Sequence, residues 1–105
     1  SSDLEGETDV LAVFENSSGS RLGVHIENKL ASGVFTPYQP EVCAARAERW
    51  VGIKKYGDYH QWETVLLAPS SFIARNTEGA RKFTTRILHE QIAAFKPPFH
   101  PADVA

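Results

Sequence analysis

A single cysteine, Cys43, stands in this 105-residue sequence, which excludes an intrachain disulfide and any zinc site built on a Cys-x-x-Cys pair. One thiol suits a reducing compartment better than a secreted scaffold, and a cytoplasmic location is expected. No apolar run approaches the roughly 20 residues that span a bilayer. No signal-peptide pattern opens the sequence either, so no membrane partner is expected. A glycine-rich phosphate loop, a dinucleotide fingerprint and a nucleophile elbow are all missing. His60, His89 and His100 stand at no ligand spacing, and no second histidine follows His89-Glu90 at the interval a zinc helix needs. Asn16-Ser17-Ser18 matches a glycosylation sequon but reads as a turn.

What is present fits one small globular domain. Hydrophobic residues make up 42% and charged residues 23%, which allows a single core in a chain of this length. The expected division is one domain over residues 1–95 and a proline-containing tail over 96–105. The net charge of −2 hides an asymmetry. Residues 1–41 carry seven acids against Arg21 and Lys29, while residues 42–96 carry nine basic residues against five acids. An acidic first third beside a basic remainder suits a metal cluster next to a phosphate-tracking surface. The basic residues are scattered, and the acidic net charge argues against strong non-specific DNA affinity.

Asp9 to Phe14 reads as a strand, Asn16 to Ser20 as its turn, and Arg21 to Lys29 as an antiparallel partner. Thr36 and Gln39 have capping-box spacing and open a helix to about Val51, with Cys43, Ala44, Ala47, Trp50 and Val51 on its core-facing stripe. Gly52 to Glu63 reads as an aromatic-rich loop. Thr64 to Ala68, apolar on both faces, reads as a central strand. A short helix within Ser70–Lys82, a strand over Phe83–Leu88 and a helix over His89–Phe95 complete the order. The fold class is α/β, with helices around a mixed four-stranded sheet.

The chemistry concentrates in Glu27-Asn28-Lys29. Alternation along the second strand predicts Leu22, Val24 and Ile26 in the core and His25, Glu27 and Lys29 on the opposite face. Asp9 and Glu27 lie about equally far from the turn centre near Gly19, so an antiparallel hairpin puts them side by side. Two such carboxylates hold Mg²⁺ through oxygen, and the ion supplies a water activated near neutral pH. Lys29 then stabilises charge at phosphorus. His25, on the Glu27 face, is a candidate to approach metal or substrate.

Asp9, Glu27-Asn28-Lys29 and Gln39, together with Phe35-Thr36-Pro37-Tyr38-Gln39-Pro40, resemble the PD-(D/E)XK nuclease superfamily from Asp9 to about Leu67. The resemblance implies a restriction-endonuclease-like core and hydrolysis of DNA phosphodiesters. It implies Asp9 and Glu27 as ligands of Mg²⁺ or Mn²⁺, joined by the backbone carbonyl of Asn28. It makes Lys29 the catalytic lysine and gives Gln39 the role of positioning the site. The sequence departs from the family at Thr8, where a proline would stand, and at Cys43, where the exonuclease-like branches place a tyrosine. Only Ser1 to Thr8 precede Asp9, so the first core helix is expected to be missing, with Glu5 or Glu7 substituting for its acid or the site incomplete.

Arg46, Arg49, Lys54 and Lys55 are the candidates for contacts to nucleic-acid phosphates, and Tyr56, Tyr59 and Trp62 for stacking on bases. Two rival readings keep the fold without turnover. One is a nucleic-acid-binding or protein-interaction module; the other is a purely structural subunit, with a homo-oligomer as one form of it, whose missing layer comes from a partner chain.

Overall fold

A computed structural model describes residues 9–95. The expectations for the 96–105 tail, for Thr8, Glu5 and Glu7, and for the first core helix lie outside the described residues. Four strands form one sheet in the order β1-β2-β3-β4: β1 (Val10–Glu15), β2 (Arg21–Asn28), β3 (Gln61–Ala68) and β4 (Thr85–Leu88). β1 and β2 pair antiparallel, whereas β2–β3 and β3–β4 pair parallel. Helices α1 (Gln39–Arg49), α2 (Ser70–Arg75), α3 (Thr77–Ala80) and α4 (His89–Phe95) flank this mixed sheet. The architecture is α/β.

The hairpin is closed by local chemistry. Asn16 Oδ1 accepts from the backbone N–H groups of Ser18 and Ser20 and from the Ser18 hydroxyl. This is the side-chain mimicry of a backbone turn that Asn offers. The Arg21 guanidinium then pairs with Glu15 at 2.9 Å across the first rung. A parallel β2–β3 pairing cannot be joined by a tight turn, and α1 fills the crossover. β3 is longer than its apolar run because it pairs with β2 from Leu22↔Gln61 onward, so Gln61 to Glu63 are strand rather than loop. The helical stretch after Pro69 breaks at Asn76, where the backbone leaves the helical region (φ −133°, ψ 42°).

The faces of β2 are the reverse of the expected ones. Gly23, His25 and Glu27 are buried under α1, while Leu22, Val24 and Ile26 are only half-buried. Opposite those three on β1 stand Ala12 and the exposed Val10 and Phe14. Hydrophobicity alone assigns the wrong face because the covering helix presents small and polar groups. Its inward stripe is Gln39, Cys43, Arg46 and Ala47, spaced as one helical face.

Two aromatic packings use glycine for close approach. The Tyr59 ring lies on Gly23, where a Cβ would come within 2.5 Å of Tyr59 Cδ2. The Phe35 ring lies on Gly79 in the same way, at 2.6 Å, and packs edge-to-face on Phe72 and stacked on Phe83, against the core of Cys43, Leu66, Ala68 and Ala80. Tyr59 is fully buried, and its hydroxyl donates to Ala47 O at 2.5 Å while accepting from His25 Nε2 at 2.8 Å. The hydroxyl has one proton, so the histidine nitrogen must carry the other.

Gly23→Ala is expected to destabilise the fold by about 2–3 kcal/mol, the cost of overpacking a rigid ring against a strand. Tyr59→Phe is expected to cost about 1–2 kcal/mol by stranding the buried His25 N–H. Urea denaturation of both variants checks these values.

Candidate functional site

The parallel strands β2, β3 and β4 end at one edge of the sheet, and the candidate residues gather there. The last β1–β2 rung pairs Val10 with Ile26, so Asp9 and Glu27 follow as opposed neighbours on the α1 face. They are near enough for the Asp9 charge to act on the Glu27 carboxyl. Asn28 N–H donates to Asp9 Oδ2 at 2.8 Å, continuing the ladder through a side chain. Gln39 Nε2 donates to Glu27 Oε2 at 2.9 Å. The Gln39 amide is oriented by its other end, because Gln39 Oε1 accepts from the Thr36 N–H at 3.0 Å. That is the backward half of a capping box. The helix itself starts later than that motif suggests, with Tyr38 at the cap in a left-handed conformation (φ 61°).

Glu27 is 5% exposed, and its Oε1 has no hydrogen-bond partner within the described residues. Burial first, then the neighbouring Asp9 charge, pushes the Glu27 carboxyl up to about 7. Lys29 and Arg46 pull in the opposite direction and do not prevail. The outcome is a Glu27 carboxyl that keeps its proton up to near neutrality. Lys29 shares this face, with Nζ donating to Val34 O at 2.9 Å and lying 5.6 Å from the Phe35 ring centre.

The structure therefore brings Asp9, Glu27, Asn28, Lys29 and Gln39 together. Of the basic candidates, Arg46 comes near them, but from within the core rather than as a surface contact for phosphate. Arg46, expected at a phosphate, is 2% exposed and lies in the core. It packs 5.9 Å from the Trp50 ring, where its charge acts on Glu27, His25 and Cys43. It sits at i+7 from Gln39, on the inward stripe, and a long cation there is taken under the sheet. Arg49, Lys54 and Lys55 are exposed, but Arg49 ends the helix that Gln39 begins, about 15 Å along its axis.

His25 is wholly enclosed and engaged with Tyr59, so its ring does not reach the carboxylate edge as a solvent-facing group. Burial, reinforced by Arg46, lowers it to about 4. Tyr59 is core and cannot stack on a base, Tyr56 has one face on Trp50 at 3.7 Å, and the half-buried Trp62 donates its ring N–H to Glu48. Burial pushes the Cys43 thiol up to about 11, which makes it an inert core residue. One residue passed over in the sequence does reach the site: His89 Nε2 lies 2.8 Å from Asn28 Oδ1. Sixty-one positions separate the two, and no local spacing signals such a bond.

Among the described residues no three His, Cys, Asp or Glu side chains converge as a metal-binding group, and no helix is long and apolar enough to cross a membrane. No family model matches the sequence, and no curated protein or solved structure matches it either.

A carboxyl raised in the folded state favours folding below its ordinary pKa and loses that contribution as pH rises toward 7. The lowered His25 acts oppositely, contributing above about 6.5 and losing it toward 4. Glu27→Gln removes the first effect alone. Without metal, this variant is expected to exceed wild type at pH 8 by about 3 kcal/mol, with the gap closing toward pH 4.5. Urea denaturation across that range measures it; a gap independent of pH would contradict the assignment.

Proposed function

We infer that this domain is a divalent-metal-dependent nuclease of the PD-(D/E)XK type, with a restriction-endonuclease-like core, acting on DNA phosphodiester bonds. The observation that carries this reading is the buried Glu27 carboxylate. One oxygen is held by Gln39, the other has no hydrogen-bond partner among the described residues, and the Asp9 charge acts on the group. A buried acid with an orphaned oxygen and a raised pKa is the kind of group that active sites use. A cation in place of the Glu27 proton would relieve the arrangement.

The residues present fit Mg²⁺ or Mn²⁺. Asp9 and Glu27 would supply carboxylate oxygens, and the Asn28 carbonyl a third. Two acidic side chains suit an ion that keeps several of its own waters. Such an ion, when bound, supplies Lewis acidity and an activated water. The protein's own contribution is to hold the geometry. Gln39 fixes the Glu27 carboxylate, and Asn28 N–H fixes that of Asp9. The Lys29 ammonium, on the same face, would leave Val34 O for the charge that grows on phosphorus. Arg49, Lys54 and Lys55 would track the phosphate backbone away from the cut. A single buried Cys43 fits a reducing, cytoplasmic setting.

The half-buried face carrying Leu22, Val24 and Ile26, with Val10 and Phe14 exposed beside it, favours a second reading: a protein-interaction module or self-associating subunit. A mass that rises with concentration in sedimentation experiments would support it.

Mn²⁺ titration calorimetry tests the first reading. Wild type is expected to bind, Glu27→Gln is expected not to, and the affinity is expected to fall about tenfold per pH unit below 7 as the ion displaces a proton. Lys29→Ala is expected to keep Mn²⁺ affinity while losing roughly 10²–10³ in cleavage rate on plasmid or oligonucleotide DNA. Absence of Mn²⁺ binding by wild type would sink the nuclease reading.

A further inference from the structure

The longest-range bond at the carboxylate edge is made by a residue for which the proposed chemistry has no use. His89 opens α4 directly after β4 and is 9% exposed. An amide oxygen only accepts, so the 2.8 Å contact means that His89 Nε2–H donates to Asn28 Oδ1. Asn28 is also the residue whose backbone N–H holds Asp9 Oδ2. Asp9 precedes β1 and has no ladder rung of its own, so this bond is what fastens its carboxylate. Asn28 is the last residue of β2; its backbone is in register with Leu67 of β3, the following Lys29 N–H donates to Leu67 O at 2.9 Å, and the His89 bond adds a tie on its side chain.

The start of α4 is itself pinned. Gln91 Oε1 accepts from Leu88 N–H at 2.7 Å, the same backward capping that Gln39 makes on α1. The Glu90 carboxylate accepts from the Ser70 hydroxyl at 2.6 Å and from its N–H, at the start of α2. His89 is thus a fixed donor rather than a side chain free to follow Asn28.

We propose that His89 is a positioning residue of the carboxylate site: through Asn28 it fixes the backbone that holds Asp9, and so sets metal affinity without touching the metal. The inference rests on the reading of Asp9 and Glu27 as a divalent-metal centre. Partners one shell out from a ligand typically change metal affinity ten- to a hundredfold when removed.

The test is Mn²⁺ calorimetry beside thermal melting, on wild type, His89→Ala, His89→Gln, Asn28→Ala and the double alanine variant. In folded His89→Ala and Asn28→Ala, Mn²⁺ affinity is expected to weaken roughly ten- to a hundredfold. His89→Gln, whose amide N–H can reach the same oxygen, is expected to recover most of it. The double variant is expected to lose no more than either single one, because both remove one bond. Wild-type affinity in folded His89→Ala, or additive losses in the double variant, overturns the positioning role and leaves the metal site standing. Should His89→Ala not fold, Asn28→Ala decides alone: unchanged affinity overturns the proposal and a tenfold loss upholds it. Absence of Mn²⁺ binding by wild type overturns the metal centre, and this inference falls with it.

Discussion

Keeping the Glu27 carboxylate out of water is the constraint on which the rest of the structure depends. An ionised carboxylate under a helix is costly unless paired and hydrogen-bonded. Here the compensation is partial: one bond from Gln39, and the charges of Lys29 and Arg46 nearby. The geometry of α1 follows from supplying that bond. Tyr38 takes a left-handed conformation, which costs a bulky residue about 1–2 kcal/mol, at the point where the chain turns into the helix. Gln39 then stands at the first helical position, with its amide reaching back to Thr36 and across to Glu27. Further along the stripe, Cys43 and Ala47 are small enough for the helix to lie close to the sheet.

Local rules are satisfied almost everywhere else, so the exceptions are informative. The hairpin turn, the central strand and the aromatic core around Phe35 are mutually consistent in propensity, pattern and packing. Several exceptions stand at one edge: an unsatisfied buried oxygen, a second carboxyl acting on it and a left-handed cap before Gln39; the other left-handed residue, Asp58 (φ 52°), lies away from it in the turn before β3. Such conflicts are tolerated where a site requires them.

The hairpin and the apposition of Asp9 with Glu27 were legible in the sequence, because turn chemistry fixes the register and counting outward from Gly19 gives the pair. The type and order of the elements were legible for the same reason of strong local signals. The faces of β2 were not. Leu22, Val24 and Ile26 look like a core stripe, yet burial is decided by the helix that covers Gly23, His25 and Glu27. Arg46 reads as surface charge until its place on that helix stripe is seen, and Tyr59 reads as a loop aromatic until Gly23 is seen to make room for it. His89 was beyond reach, since nothing within 60 residues of it hints at Asn28.

The distance between those two residues gives the site a schedule. The carboxyl pair and its Asn28 clasp close a loop of about 19 residues, whereas the His89 tie closes one of 61. By loop entropy the second costs roughly 1 kcal/mol more, and it also waits for β3 and β4 to dock in parallel. A chain emerging from the ribosome therefore owns both acids and Gln39 long before it owns the anchor on Asn28. The His89–Asn28 bond can form only after the chain through β4 has been made and docked beside β3.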